Sequence, residues 1–449
     1  MSQATDSTRI VLIGAGSTSF GLGTLCDLFG AATELEGSTL ALVDIDSDAL
    51  GRMRRVAEKL NEAAGHPFTI EATTDRTEAL PGASFVILAI AVERNARWRL
   101  DFEIPLKHGA KQVLGENGGP GGLFHAMRNI PIILDICRDI EQLCPDALVL
   151  NFTNPEGRLC LAATRYTSLS FIGLCHGIGM AQHVIAAALP LSSAALEIPE
   201  EELDPLAAGL NHFTWLMSIR HRPTGADLYP AFREVLHTRF DELQAKIGWG
   251  LEFSRFLMDT FGYWPSPSDD HVGEYLGYAW EMCGLHGYDF DGSDQRAIAQ
   301  IQQIDRWGRG EDPIAPLHAR RSGERAVAII TGVLGNTHQY ELAVNVPNES
   351  RGSLLIPNLP PWTIVEVPAM VDADGVHGVP VGPLPEPIAA MCRTQAAVID
   401  RVVDAGVHGD RTLALQALLL DPVITSRSQA EAILDELFAA HKDLLPQFA

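Results

Sequence analysis

The sequence lacks an apolar run approaching the roughly 18 residues that a membrane-spanning helix needs. Its opening, MSQATDSTRI, has none of the basic, apolar and small-residue order of a secretory signal, so a cytoplasmic protein is expected, with no membrane partner. Basic residues are also in short supply: 33 Lys and Arg stand against 57 Asp and Glu, for a net charge of −24. A phosphate backbone requires a basic counter-surface, and this balance argues against a nucleic-acid partner. The seven cysteines, at 26, 137, 144, 160, 175, 283 and 392, are odd in number and show no paired spacing. They read as reduced thiols, most of them small buried hydrophobes, and not as a disulfide framework. Internal repeats and low-complexity tracts are missing too. What remains is an ordinary globular composition, 46% hydrophobic and 20% charged over 449 residues, long enough for two domains.

The first part alternates between two patterns. RIVLIGAG, TLALVDID, ASFVILAIAV, DALVLNFTNP and LSFIGLCHG are continuous apolar runs, with PFTIEATT a weaker one. Such runs suit strands buried on both faces. Helical stretches separate them at about 17–30, 47–64, 122–143 and 155–167. The alternation predicts an α/β fold, a Rossmann-like doubly wound parallel sheet over residues 1–195. Beyond it, AAGLNHFTWLMSI suggests a strand and SRFLMDTFGY a helix. Residues 285–325 suggest a polar surface excursion, and the tail mixes helix with strand. Residues 196–449 are therefore expected to form a mixed α+β domain, giving the architecture of lactate and malate dehydrogenases.

LIGAGSTSFG follows the first strand and opens a helix, the context of a dinucleotide fingerprint. Gly14 permits the tight turn, and Gly16 with Ser17 brings backbone to a pyrophosphate at a helix N-terminus. Ser19 replaces the third glycine. Asp44, after the second strand, can accept from ribose hydroxyls, although it lies further along than the usual spacing of about 20 residues. No arginine follows it directly, which favours NAD over NADP.

Ligands in such sheets sit beyond the C-terminal strand ends, and three loops there carry chemistry. One runs from Arg94 and Asn95 to the glycine-rich GENGGPGG with Glu116 and Asn117; the second is NFTNPEG, with Asn151 and Asn154 and a candidate cis bond at Asn154–Pro155. The third holds Cys175 and His176. A thiolate and an imidazole suit a borderline transition metal. Adjacent residues rarely share an ion, so His212 of GLNHFTWL is the candidate distant partner. SPSDDHVGEYLGY adds Asp269, Asp270, His271, Glu274 and Tyr275, either acid–base groups or a capped helix start.

Together, LIGAGST.F, VDID, GPGG, N.TNP, GLCHG, G.NHFTW, H.GEY and VEVPAMVDADGV resemble glycoside hydrolase family 4 over nearly the whole chain. These are the NAD- and manganese-dependent α-glycosidases. The Cys-His form resembles the branch acting on unphosphorylated sugars, with an α-galactoside favoured and an α-glucoside or α-uronide as alternatives. The resemblance implies a family scheme outside ordinary two-carboxylate hydrolysis. NAD takes hydride from C3, the acidified C2 proton is removed, the C1 group is eliminated, water adds and the hydride returns. It further implies Cys175 and His212 as metal ligands, His176 at the leaving group or sugar, and Asn154, Asn117 and Arg94 as sugar contacts. Asp269 is the favoured C2 base, with Tyr275, Asp270 and His271 as alternatives. A homodimer or homotetramer is implied likewise. Two competing readings are a lactate/malate-type dehydrogenase, which needs no metal, and a non-catalytic NAD-binding regulator.

Overall fold

The computed structural model describes residues 8–449. Six strands come first: β1 (Arg9–Ile13), β2 (Thr39–Val43), β3 (Thr69–Thr73), β4 (Phe85–Leu88), β5 (Leu148–Asn151) and β6 (Ser170–Gly173). Four of them are apolar throughout or nearly so, and every residue of β4 and β5 is buried. All six pair in parallel, in the order β3-β2-β1-β4-β5-β6. The helices between them follow local rules. Asp46 caps the helix Ser47–Ala63 by accepting from the backbone N–H groups of Asp48 and Ala49, and Leu50, Met53, Val56, Ala57 and Leu60 fall on its buried face.

The remaining strands are β7 (Leu203–Leu210), β8 (Phe213–His221), β9 (Trp264–Ser266), β10 (Gln339–Pro347), β11 (Glu349–Ser350), β12 (Ser353–Leu354), β13 (Ile364–Asp372) and β14 (Gly375–Gly378). Apart from the small β11–β12 ribbon, they continue the parallel sheet in antiparallel fashion, β6-β10-β13-β7-β8-β9, with β14 beside β13. The strands on either side of residue 195 thus belong to one sheet of twelve. Among the described residues no helix is long and apolar enough to cross a membrane.

Two local readings of the sequence change. AAGLNHFTWLMSI is not one strand but the hairpin β7–β8, turning at Asn211 and His212. His212 takes a left-handed φ of 58° there, which ends one strand and starts the next. Trp215 and Trp264, both fully buried, fasten this hairpin to its surroundings; each removes roughly 150–250 Å² from water. Residues 285–325 are not a bare excursion either. They contain the helix Phe290–Arg309, capped by Asp289 and anchored by buried Phe290 and Ile304. It packs beside the helix Ser47–Ala63, and Gln300 donates to the Thr18 carbonyl of the glycine loop. Ser322 binds Asp27 further along.

Candidate active site

One row of paired residues crosses the sheet at the C-terminal ends of its parallel strands. It passes from Val43 through Ile13 and Leu88 to Asn151, then Gly173, Asn345, Glu366, Gly209, Thr214 and Ser266. The row is apolar up to Leu88 and mostly polar from Asn151 onward. The loops singled out in the sequence leave the sheet close to this row, so it is the floor of the candidate site.

At the apolar end lies the glycine turn. Gly14 has φ +90°, and a Cβ on it would stand 2.2 Å from the Ala89 carbonyl oxygen. A Cβ on Gly16 would stand 2.7 Å from Asp44 Oδ2, which instead accepts the Gly16 N–H at 2.8 Å. Ser17 Oγ accepts from Phe20 N–H at the start of the helix Phe20–Gly30. This is backbone held open where a dinucleotide approaches, and the residues present fit one. Ile45, just beyond Asp44, is 88% exposed and offers an apolar face next to that carboxylate. Gly14→Ala is expected to lower folding stability by about 1–3 kcal/mol through strain and clash, read as a drop in thermal midpoint.

At the polar end, Cys175 and His176 follow β6. The Cys175 sulfur accepts from Gly177 N–H at 3.4 Å. Burial pushes its thiol well above the usual range, with Glu366 and Glu156 adding to the effect. His176 is half-exposed at the start of the helix Gly177–Ala188, its Nδ1 3.0 Å from Glu324 Oε1, and this hydrogen bond holds its pKa above the ordinary value. The His212 ring is buried, and its Nδ1 has no hydrogen-bond partner among the described residues. Burial, then the neighbouring His271 and His176, holds this imidazole well below the usual range. Neutral imidazole is the form that ligates a metal. The backbone N–H of His212 and the hydroxyl of Thr214 both bind Glu366, which burial pushes up to about 7.

Glu156 lies below, accepting from Asn345 Nδ2 at 3.0 Å and Asn211 Nδ2 at 3.1 Å. It fits only because Gly173 lacks a Cβ, which would stand 2.1 Å from its Oε1. Two buried carboxylates, an unpartnered imidazole nitrogen and a high-pKa thiol make a site short of positive charge. A divalent cation fits that deficit. Among the described residues no three His, Cys, Asp or Glu groups converge as a complete metal cage. Two protein ligands would leave positions open for oxygens of a substrate.

The segment after β9 separates its own candidates. Asp269, the favoured base in the sequence reading, is turned away from the floor. Its carboxylate accepts from the backbone N–H groups of Phe253 and Ser254, both at 2.8 Å, and from the Ser254 hydroxyl. It caps the helix Glu252–Phe261, and four chemically exposed N–H groups at a helix start are a strong draw for a carboxylate. The buried Tyr275 donates its hydroxyl to the Asn211 carbonyl at 3.1 Å, and burial raises its pKa well beyond 10. Tyr275 still feels the charges of Glu366 and Cys175, while Asp270 and His271 lie beside His212. Their side chains pair at 3.0 Å, and the His271 ring meets that of His212 edge-on, centroids 4.8 Å apart. Burial is the largest single influence and opposes charge on His271, but the hydrogen bond and charge of Asp270, with the charges of Glu274 and Glu116, together push the imidazole up to about 9.

The glycine-rich loop closes the other side. Asn117 is buried with its Oδ1 unpartnered, and Asn154 follows β5 across a cis bond to Pro155, its carbonyl accepting from Asn129. Arg94 reaches Glu116 at 3.0 Å and lies 5.3 Å above the Trp98 ring. Arg94, His125 and Arg128 border one small cavity with Asn129. Its positive charges are cancelled: Arg94 by the buried Glu116, Arg128 by a two-point grip on Asp101. Burial, then Arg128, holds His125 down to about 4, so it is neutral.

Sequence reasoning passed over Glu156, Asn345, Glu366 and Glu324. A glutamate and an asparagine set within the apolar runs IVEVP and LAVNVP were the available signals for two of them.

Comparisons with known proteins identify the family. A model described as "Family 4 glycosyl hydrolase" matches residues 9–191, and "Family 4 glycosyl hydrolase C-terminal domain" matches residues 207–424. An alpha-glucosidase of Erwinia rhapontici is 36% identical over 93% of this chain and 94% of its own length. An alpha-galactosidase of Bacillus subtilis is 33% identical over 98% and 99%. Among solved structures, a 6-phospho-alpha-glucosidase from gut microorganisms, in complex with NAD and Mn2+, matches with TM-score 0.79 at 21% identity, covering 99% of this chain and 100% of that one.

Proposed function

The chain belongs to the family 4 glycosyl hydrolases, and from that premise we propose that it hydrolyses α-glycosides of neutral, unphosphorylated hexoses, α-glucosides or α-galactosides, with NAD and a divalent metal, manganese by preference. The observation that carries this reading is the cation-deficient floor at Cys175, His212, Glu366 and Glu156, set beside a glycine turn with Asp44 at the other end of the same strand-end row. NAD bound at the turn supplies hydride removal and return at C3, while the metal supplies Lewis-acid polarisation of sugar hydroxyls.

The chain's own residues have separable tasks. Gly14, Gly16, Ser17 and Asp44 seat the dinucleotide. Cys175 and His212 hold the cation, with Glu366 fixing the His212 turn through its backbone N–H. Asn154 and Asn117 orient sugar hydroxyls. The C2 proton is assigned to the Asp270–His271 pair in place of Asp269 or Tyr275, since a cation held beside His212 would oppose charge on His271 and leave that imidazole neutral to accept it. His176, held by Glu324, stands at the leaving group. The helix Phe290–Arg309 braces the glycine loop through Gln300 and the Thr18 carbonyl.

A neutral sugar is supported by the cancelled charges around Arg94 and Arg128. A uronate brought there would meet Glu116 and no net positive charge. Nitrophenyl α-glucoside and α-galactoside are therefore expected to be turned over at least about 100-fold better than the α-galacturonide, in kcat/KM. Glu116→Gln is expected to free Arg94 and narrow that ratio by roughly tenfold. A screen with NAD, Mn²⁺ and a thiol reductant measures both. Preference for the uronide in the unaltered protein would reverse the sugar assignment.

A further inference from the structure

One buried charge is used neither by the candidate ligands nor by the acid–base pair. Arg158, on the first turn of the helix Glu156–Tyr166, is 1% exposed, and none of its three guanidinium nitrogens has a hydrogen-bond partner among the described residues. Asn117 Oδ1, Glu274 Oε1 and Asp421 Oδ2 are likewise buried and unpartnered. Arg158 and Asn117 border the same small cavity, and the ionisable groups acting on Arg158 are Tyr275, Asp421 and Glu274. A Cβ on Gly122 would stand 3.1 Å from Arg158 Nη1 and 2.4 Å from the Asn117 carbonyl carbon, so the guanidinium packs against the glycine-rich loop itself.

Glu274 grips that loop with its other oxygen, and Asp421 meets the loop at the Gly119 backbone. Glu274 Oε2 accepts from the N–H groups of Glu116, Asn117 and Gly118 at 2.7, 2.7 and 2.9 Å. Asp421 accepts from Val423 at 2.9 Å and from the backbone of Gly119. Four successive N–H groups therefore end on two buried acids from distant parts of the chain. Glu274 also feels His271 from its own segment and Glu116 from the loop, and those two charges oppose each other. Two carboxylates in a poorly hydrated interior need a counter-charge, and a guanidinium with five donors cannot remain dry.

We infer that Arg158 is a positioning residue: through bridging water it is the counter-charge that keeps Glu274 and Asp421 clamped on residues 116–119, and so sets Glu116 and Asn117 against the sugar. The clause about the sugar rests on the proposed function; the clamp does not.

The test compares R158M, R158K and R158M/D421N with the unaltered full-length protein, each loaded with NAD and Mn²⁺. Steady-state kinetics on the best nitrophenyl α-glycoside are paired with hydrogen exchange read by mass spectrometry. R158M is expected to raise KM about tenfold while kcat falls by less than about threefold. Peptides covering 112–122 are expected to exchange roughly tenfold faster, with the β1 region unchanged. R158K, which restores the charge, and D421N, which removes an acid left without its counter-charge, should each return most of the protection. If R158M does not fold, recovery of folding in R158M/D421N supports the inference. Exchange in 112–122 unchanged in R158M, exchange rising equally across the chain, or R158K behaving like R158M would overturn it. Should the unaltered protein cleave no α-glycoside, the proposed function fails, while the exchange pattern still decides the clamp.

Discussion

Cys175→Ala is expected to lower α-glycoside turnover by about 10³-fold or more and to leave NAD binding intact. The sulfur stands over two buried acids, Glu366 and Glu156, in a place where burial keeps a thiol protonated unless a cation takes up the charge. Polarisation of a substrate oxygen by a metal is worth several kcal/mol, and each 1.36 kcal/mol is tenfold in rate. His212→Ala should match it, since the unpartnered Nδ1 is the other ligand. Cys160→Ala is the control. Cys160 is also buried, lying under Gly173 beside Glu156 and Asn151, yet is not a proposed ligand, so its loss should cost packing and a weak hydrogen bond but not the cation. Manganese binding, followed by electron paramagnetic resonance, should fall with Cys175→Ala and His212→Ala and persist in Cys160→Ala. Undiminished manganese affinity in both ligand variants would remove the metal site from these residues.

The second large effect separates two neighbouring aspartates. Asp270→Asn is expected to cut turnover by about 10²–10⁴-fold, because it dismantles the pair that receives the C2 proton. Folding should change little, as among the described residues the Asp270 carboxylate hydrogen-bonds only to Ser268 and His271. Asp269→Asn should do the reverse. It weakens the cap on the helix Glu252–Phe261 and lowers stability by about 1–2 kcal/mol while most activity remains. Chemical denaturation and initial rates on the same preparations read both. A stable but inactive Asp269→Asn protein would return the base to Asp269.

The contrast between those aspartates shows where sequence reading reaches its limit. Gly14, Gly16 and Asp44 were legible because their chemistry is local: a strand, a turn without side chains, and an acid at the next strand end. Cys175 and His212 were legible once taken together, since each alone looks like core. Which of Asp269 and Asp270 faces the floor depends on where the helix Glu252–Phe261 begins, some fifteen residues earlier, and adjacent positions on a helical start point in different directions. The hairpin turn at His212 was hidden for a similar reason, because an asparagine and a histidine between apolar runs do not announce a left-handed residue. Glu156, Asn345 and Glu366 form a site only through the pairing of β6, β10 and β13, contacts set by register across nearly two hundred residues. Likewise Arg158 becomes conspicuous only when its lack of a partner is seen.

The most direct test of the account is turnover of a nitrophenyl α-hexoside in D₂O, with the released sugar analysed by NMR. Cleavage should need both NAD and a divalent cation, with deuterium at C2 of the product and protium retained at C3. Cleavage with C2 fully protonated, or at the same rate without NAD, would contradict it.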